Sequence, residues 1–176
     1  MSENPRLPAA CLLLALAVAG GVSPGARAAE PPSSPPPARE APMTQHAQGL
    51  FDVKLSPLDL HDKAGGDARR GRMALDKTFH GDLDATGSGE MLTAAGDAQG
   101  SAGYVAIERV TGTLHGRSGS FALQHSGTLT RGTPELSITV VPDSGTGALA
   151  GISGRMTITI SDGKHHYDFR YTLPQP

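Results

Sequence analysis

Two residues of opposite acid–base character, Glu108 and His125, are the first candidates for chemistry in this sequence. Both occur in segments that alternate apolar and polar residues, which is typical of β-strands with one buried face. A hairpin in which Gly116 pairs with Gly119 would make them diagonal neighbours on the same face. Such a buried pair can perform acid–base catalysis, because burial and mutual charge tune both groups. The alternative, which carries the greater weight, is a structural polar pair whose members only satisfy each other.

Inward-facing aromatic residues in the same region could line a ligand pocket. In the proposed hairpin, Tyr104 and Phe121 share the apolar face with Glu108 and His125. The segment near the end of the chain alternates its aromatic and polar residues in the same way. A pocket with apolar walls and a few convergent polar groups is the usual form of a small-molecule site. The predicted ligand-binding residues are Tyr104, Glu108, Phe121, His125, Tyr167 and Phe169.

Two further basic side chains lie in strand-like segments. Lys77 has the same parity as Phe79, so an unbroken strand would point it inward, whereas a single bulge would turn it outward. We predict the solvated, outward orientation for this lysine. His165 shares parity with Tyr167 at the start of a strand, near the expected mouth of a barrel. We expect it to be half exposed, with a position lining the entrance as the alternative.

Motifs for metal binding, phosphate binding and serine hydrolysis are not found. The sequence has seven histidines, but His165 and His166 are adjacent and would point to opposite faces of a strand. The single cysteine, Cys11, excludes a paired-cysteine zinc site. Residues 143–147 are rich in glycine but lack the Gly-Lys-Ser/Thr ending of a phosphate loop, and no Gly-x-Ser-x-Gly motif occurs. We therefore predict no metal and no cofactor.

The elements that must position these residues are short strands. All seven aromatic residues lie between residues 43 and 173, each in a segment with two-residue periodicity, and no segment has a helical apolar stripe. Turn residues such as those at 131–134 and 162–163 separate the strands. About eight strands joined by short loops predict an all-β domain over residues 43–174, an antiparallel closed barrel. A barrel of this size has an interior that side chains fill or that holds one small ligand.

The first 42 residues predict export. Arg6 precedes an apolar run from Ala9 to Ala19, which is too short to span a membrane but suits a signal peptide. A small-x-small cleavage pattern ends at Ala28, so residues 1–28 form the predicted signal peptide and residues 29–42 a proline-rich linker. The protein is then periplasmic or secreted. Translation from Met43 would instead leave the domain in the cytoplasm.

Charge and cysteine content exclude several classes of partner. The formal net charge is −2, without the basic cluster that nucleic acid or an anionic membrane surface requires. Cleavage after Ala28 would remove Cys11, so the mature chain would have no internal disulfide. A homodimer is compatible with a short barrel, although no residue pattern demands one. The remaining partner is a small apolar molecule.

Several sequence blocks form a recognisable pattern when they are taken together: Tyr104–Glu108, Gly112–Phe121, His125–Ser126, Val141–Ile152 and Asp162–Tyr171. This pattern resembles that of the bacterial family of unknown function numbered 3224, and the resemblance covers essentially the whole of residues 43–173. It implies an eight-stranded barrel like that of allene oxide cyclase, but no established activity.

Three functional hypotheses follow from these observations. The preferred one is a binding module that holds a small, largely apolar molecule in the barrel. The second is an isomerase or cyclase acting on a small lipid-like substrate, which rests on the resemblance and on Glu108 with His125. The third is a structural or interaction domain whose core is filled by side chains.

Overall fold

The computed structural model describes residues 43–60 and 69–174, so the predicted signal peptide and linker lie outside the described residues. The described chain forms eight strands and one short 3-10 turn at Gly147–Leu149. Within this part of the chain, no helix is long and apolar enough to cross a membrane. The strands are β1 (Gln45–Leu58), β2 (Arg70–Gly81), β3 (Leu83–Ala95), β4 (Ala102–Leu114), β5 (Arg117–Thr130), β6 (Thr133–Val140), β7 (Ser153–Ser161) and β8 (Lys164–Thr172).

These strands close into one antiparallel barrel in chain order, with β8 pairing back onto β1. The predicted fold class is therefore confirmed. Alternation of side chains along each strand gives the barrel a core, because every second residue points inward and most of these residues are apolar. Phe121 and Phe169 stack in the interior with their ring centroids 5.5 Å apart, and neither is exposed.

One end of the barrel is closed by residues 141–152, which connect β6 to β7. Leu149 and Ile152 are 1% and 2% exposed and belong to the barrel core. The segment is tied to β5 by Ser120, whose hydroxyl lies 2.8 Å from the Thr146 hydroxyl and whose carbonyl accepts from the Thr146 N–H. Apolar side chains and side-chain hydrogen bonds therefore seal this end.

The hairpin between β4 and β5 corrects the predicted register. Leu114 pairs with Arg117, so His115 and Gly116 form a two-residue turn, and the predicted pairing of Gly116 with Gly119 is wrong. Both turn residues have positive φ, 46° and 77°. A turn with two left-handed residues has a twist that matches the twist of the flanking strands, which explains why the chain reverses here.

The corrected register preserves the predicted face. Ala106 lies opposite His125, so Glu108 is still the diagonal neighbour of His125 across β4 and β5. The predicted and observed registers differ by an even number of residues, and the two-residue period of a strand keeps each side chain on the same side. The candidate acid–base pair therefore points into the barrel.

Candidate functional site

The half of the barrel opposite the sealed end contains a cavity of about 520 Å³. It lies at the end of the barrel where β3 connects to β4, β5 to β6 and β7 to β8. Three apolar residues on its rim, Leu55, Leu136 and Ile160, are 44%, 44% and 67% exposed. Apolar side chains form most of the deeper wall, which includes Phe51, Val53, Leu75, Met91 and Ile158.

A cluster of three polar side chains lies inside the barrel, next to this cavity. Lys77 Nζ donates to Glu108 Oε2 over 2.7 Å, and His125 Nε2 lies 3.1 Å from the same oxygen. The three residues are 6%, 0% and 3% exposed, in that order. Lys77 and His125 line the cavity, whereas Glu108 lies behind them and is not part of the wall. We call these residues the Lys–Glu–His cluster.

Two glycines on β3 allow the cluster to form across an intervening strand. Lys77 on β2 pairs with Gly87, and Glu108 on β4 pairs with Gly89. A Cβ atom at Gly87 would lie 2.0 Å from Glu108 Oε1. Because β3 has no side chain here, the lysine and the glutamate meet directly over its backbone.

The burial of Lys77 corrects the sequence prediction, which placed this side chain in solvent. The pairing of β2 with β3 is continuous from Arg70 to Phe79, so no bulge turns Lys77 outward. Its ammonium group is compensated by Glu108 and lies 4.9 Å and 5.6 Å from the ring centroids of Phe51 and Phe79. A carboxylate and two aromatic rings replace part of the lost hydration.

The surroundings of Glu108 keep its carboxyl group ionised. Burial alone raises its pKa, but the hydrogen bond from His125 and the charge of Lys77 outweigh burial and bring the pKa below its ordinary value of 4.5. An ionised carboxylate only accepts hydrogen bonds, so His125 Nε2 must carry a proton and donate. The Nδ1 atom of His125 is then the ring nitrogen left for another partner.

One oxygen of the carboxylate has no hydrogen-bond partner. Glu108 Oε1 is buried and unpaired within the described residues, where it packs against Gly87. The cluster is thus held together through Oε2 alone.

Stability should depend on acid pH through Glu108. A pKa that is lower in the folded chain contributes stability in full above about pH 4.5, and this contribution is lost as the pH falls through the folded value. We expect the difference in unfolding free energy between the wild type and Glu108→Gln to shrink below pH 4.5. Denaturant titrations across the acid range measure this difference, and a constant value from neutral to acid pH would contradict the assignment.

The other predicted ligand-binding residues divide between the two halves of the barrel. Tyr104 lines the cavity, and its ring lies against Gly127, where a Cβ atom would be 2.2 Å away. Phe121, Tyr167 and Phe169 lie in the core and are not among the residues of the cavity wall.

Tyr167 has a structural role in this closed half. Its hydroxyl group accepts from the Leu83 N–H over 2.9 Å and donates to the His80 carbonyl over 3.2 Å. It therefore bridges the turn between β2 and β3.

The two adjacent histidines near the mouth lie on opposite faces of β8, and His165 is both half exposed and at the entrance, the position given as its alternative. His165 is half-buried, lines the cavity and lies with its ring centroid 5.0 Å from that of Phe51. His166 is exposed on the other face of β8. Across residues 43–60 and 69–174, no group of three or more His, Cys, Asp or Glu residues could hold a metal ion.

Sequence reasoning missed several cavity residues. Leu75, Met91 and Ile158 line the wall, but the sequence analysis did not include them in the site. Their strand parity was the available signal, since each lies on the inward-facing set of its strand. Parity alone does not distinguish a residue that lines a cavity from one that fills the core.

The fold and the cluster define a class of protein: a closed eight-stranded antiparallel barrel with an apolar cavity and a buried Lys–Glu–His cluster beside it. The chain belongs to the family described as "Protein of unknown function (DUF3224)", which it matches over residues 47–171. The resemblance noted from the sequence is therefore confirmed.

A solved structure supports this assignment. The crystal structure of a protein of unknown function from the DUF3224 family of Shewanella oneidensis MR-1 is 48% identical in sequence and matches with a TM-score of 0.70. The match covers 76% of this chain and 99% of that one. No curated protein matches the chain.

Proposed function

We propose that the barrel binds a small, largely apolar molecule in the cavity beside the Lys–Glu–His cluster. The observation that carries this proposal is the cavity of about 520 Å³ with apolar walls. This volume lies within the range of about 300–1,000 Å³ that is typical of small-molecule sites. Lys77, His125 and Tyr104 are among the polar residues of the wall and would orient a ligand.

The rim of the cavity supports entry of an apolar molecule from solvent. Leu55, Leu136 and Ile160 are exposed there, although apolar side chains of this size are usually buried. A ligand that covered these side chains would remove their apolar surface from water, which favours binding by about 25 cal/mol for each Å² removed. The filled-core hypothesis provides no role for an open cavity.

We also propose that the protein acts outside the cytoplasm, in the periplasm or after secretion. The apolar run and the cleavage pattern ending at Ala28 support this proposal. Sequencing the N-terminus of the natural protein after cell fractionation tests it. An exported chain that begins at Ala29 supports export, and a cytoplasmic chain that begins at Met43 contradicts it.

Titration with a neutral apolar fluorophore, N-phenylnaphthylamine, tests the binding function. We expect saturable fluorescence enhancement with one probe bound per chain, because the cavity is a single apolar space of suitable size. Decanol should displace the probe competitively. Absence of saturable binding to correctly folded protein would contradict the proposal and favour the filled-core alternative.

An enzyme of the isomerase or cyclase type is the second candidate, and one observation favours it. Glu108 fixes the orientation of His125, which lines the cavity beside Lys77. A base oriented by a carboxylate, next to a cation that can polarise a carbonyl oxygen, is the arrangement needed to remove a proton adjacent to that carbonyl. An enzyme would lose turnover in a folded Glu108→Gln variant, whereas a binding protein would keep most of its affinity for neutral ligands.

A further inference from the structure

We propose that the natural ligand carries one acidic oxygen group, in its simplest form a carboxylic acid, that binds between Lys77 and His125. Its apolar body would extend along Phe51 and Met91 toward the mouth. This inference rests on the proposed function and specifies the chemical class of the ligand. It follows from the hydrogen-bonding capacity that the cluster leaves unused.

Lys77 and His125 offer a donor and an acceptor side by side. Lys77 Nζ and His125 Nε2 contact the same oxygen of Glu108, which fixes both side chains at neighbouring positions of the cavity wall. Lys77 donates one of its three N–H groups to Glu108, and its other neighbours here are the faces of two aromatic rings. A neutral His125 that donates through Nε2 has an acceptor lone pair at Nδ1.

A carboxylic acid complements this pair of groups. Its carbonyl oxygen can accept from the Lys77 ammonium group, and its O–H group can donate to His125 Nδ1. Transfer of that proton breaks the O–H bond, forms an N–H bond and leaves a carboxylate beside an imidazolium ion. The buried charges then balance, because Lys77 and His125 are positive while Glu108 and the ligand are negative.

The same geometry disfavours a cationic ligand. An ammonium group would meet Lys77, which is positive and lines the cavity, whereas Glu108 is not part of the wall. The unpaired Glu108 Oε1 is buried against Gly87 and is not accessible from the cavity. The acidic residue that does line the cavity, Glu135, is exposed at the mouth, where solvent screens its charge.

A pair of fluorescent probes, one with a free carboxylic acid and one with that acid esterified, tests this inference. Dansylaminoundecanoic acid and its methyl ester have the same apolar body. We expect the acid to bind at least about tenfold more tightly than the ester, because hydrogen bonds to charged groups are stronger than neutral ones. Equal affinities would overturn the inference while leaving the proposed function intact. Failure of both probes to bind the folded protein would contradict the proposed function itself.

Variants test whether the Lys–Glu–His cluster causes the preference for the acid over the ester. The double variant Lys77→Met/Glu108→Gln removes both charges of the pair, so no buried charge is left without a partner. We expect it to lose the preference for the acid, so that the acid and the ester bind with similar affinities. Lys54→Met removes an exposed lysine from the outer face of β1 and should keep that preference. A preference retained by the double variant, or lost with Lys54, would overturn the inference.

Discussion

Glu108→Gln should lower the free energy of unfolding by about 3 kcal/mol, the effect expected when one partner of a buried ion pair is removed. The side chains of Lys77 and Glu108 are 4% and 0% exposed, so water compensates little of the ammonium charge that remains. Denaturant unfolding at neutral pH measures the change. The matched control is Glu90→Gln, which removes a carboxylate that is 56% exposed and paired with Arg72. An exposed pair contributes only about 0–1 kcal/mol.

The double variant Lys77→Met/Glu108→Gln separates an unpaired charge from a general loss of packing. Replacement of both members of a buried ion pair by neutral side chains is often close to neutral in stability. We therefore expect the double variant to recover most of the stability that Glu108→Gln loses. If Glu108→Gln is as stable as the wild type, or if the double variant is less stable than the single one, the cluster is not the buried ion pair described above.

Ala106→Trp should weaken ligand binding strongly and leave the barrel folded. Ala106 is 4% exposed, lies on the cavity wall, and pairs with Met91 on one side and His125 on the other. An indole at this position would occupy space that a ligand needs. We expect the affinity for N-phenylnaphthylamine to fall by about a hundredfold, a loss of about 2.8 kcal/mol in binding free energy.

The control for this variant is the adjacent residue on the outer face of β4. Val105 is 55% exposed, so Val105→Trp adds the same side chain to the outside of the barrel and should keep the wild-type affinity. Thermal unfolding checks that both variants are folded. Undiminished binding by folded Ala106→Trp would show that the probe binds elsewhere on the protein.

Strand parity predicted the barrel and the inward face, because apolar residues at every second position directly indicate a strand with one buried face. The position of the β4–β5 turn could not be predicted in the same way. It depends on His115 adopting a left-handed conformation, which few residues other than glycine do and which the sequence does not signal. The predicted and observed registers differ by an even number of residues, so the predicted inward orientation of Glu108 and His125 is correct despite this error.

The burial of Lys77 and the extent of the cavity depend on contacts that are distant in sequence. Lys77 is stable inside the barrel because Glu108, two strands away, reaches it over Gly87. The aromatic residues Phe121 and Phe169 share the inward parity of the cavity wall, yet they lie in the core of the closed half. Residues 141–152 seal only one end, and local sequence patterns do not specify which end a connection covers.

Methionine-methyl NMR tests the central claim, binding inside the barrel, most directly. Met91 lines the cavity, Met156 is 2% exposed in the core of the closed half, and Met43 is 74% exposed outside the strands. Addition of N-phenylnaphthylamine to protein with isotope-labelled methionine methyl groups should shift Met91 and give nuclear Overhauser contacts between the probe and that methyl group. Met156 and Met43 should not change. A bound probe that leaves Met91 unperturbed, or that contacts Met43 instead, would contradict binding inside the barrel.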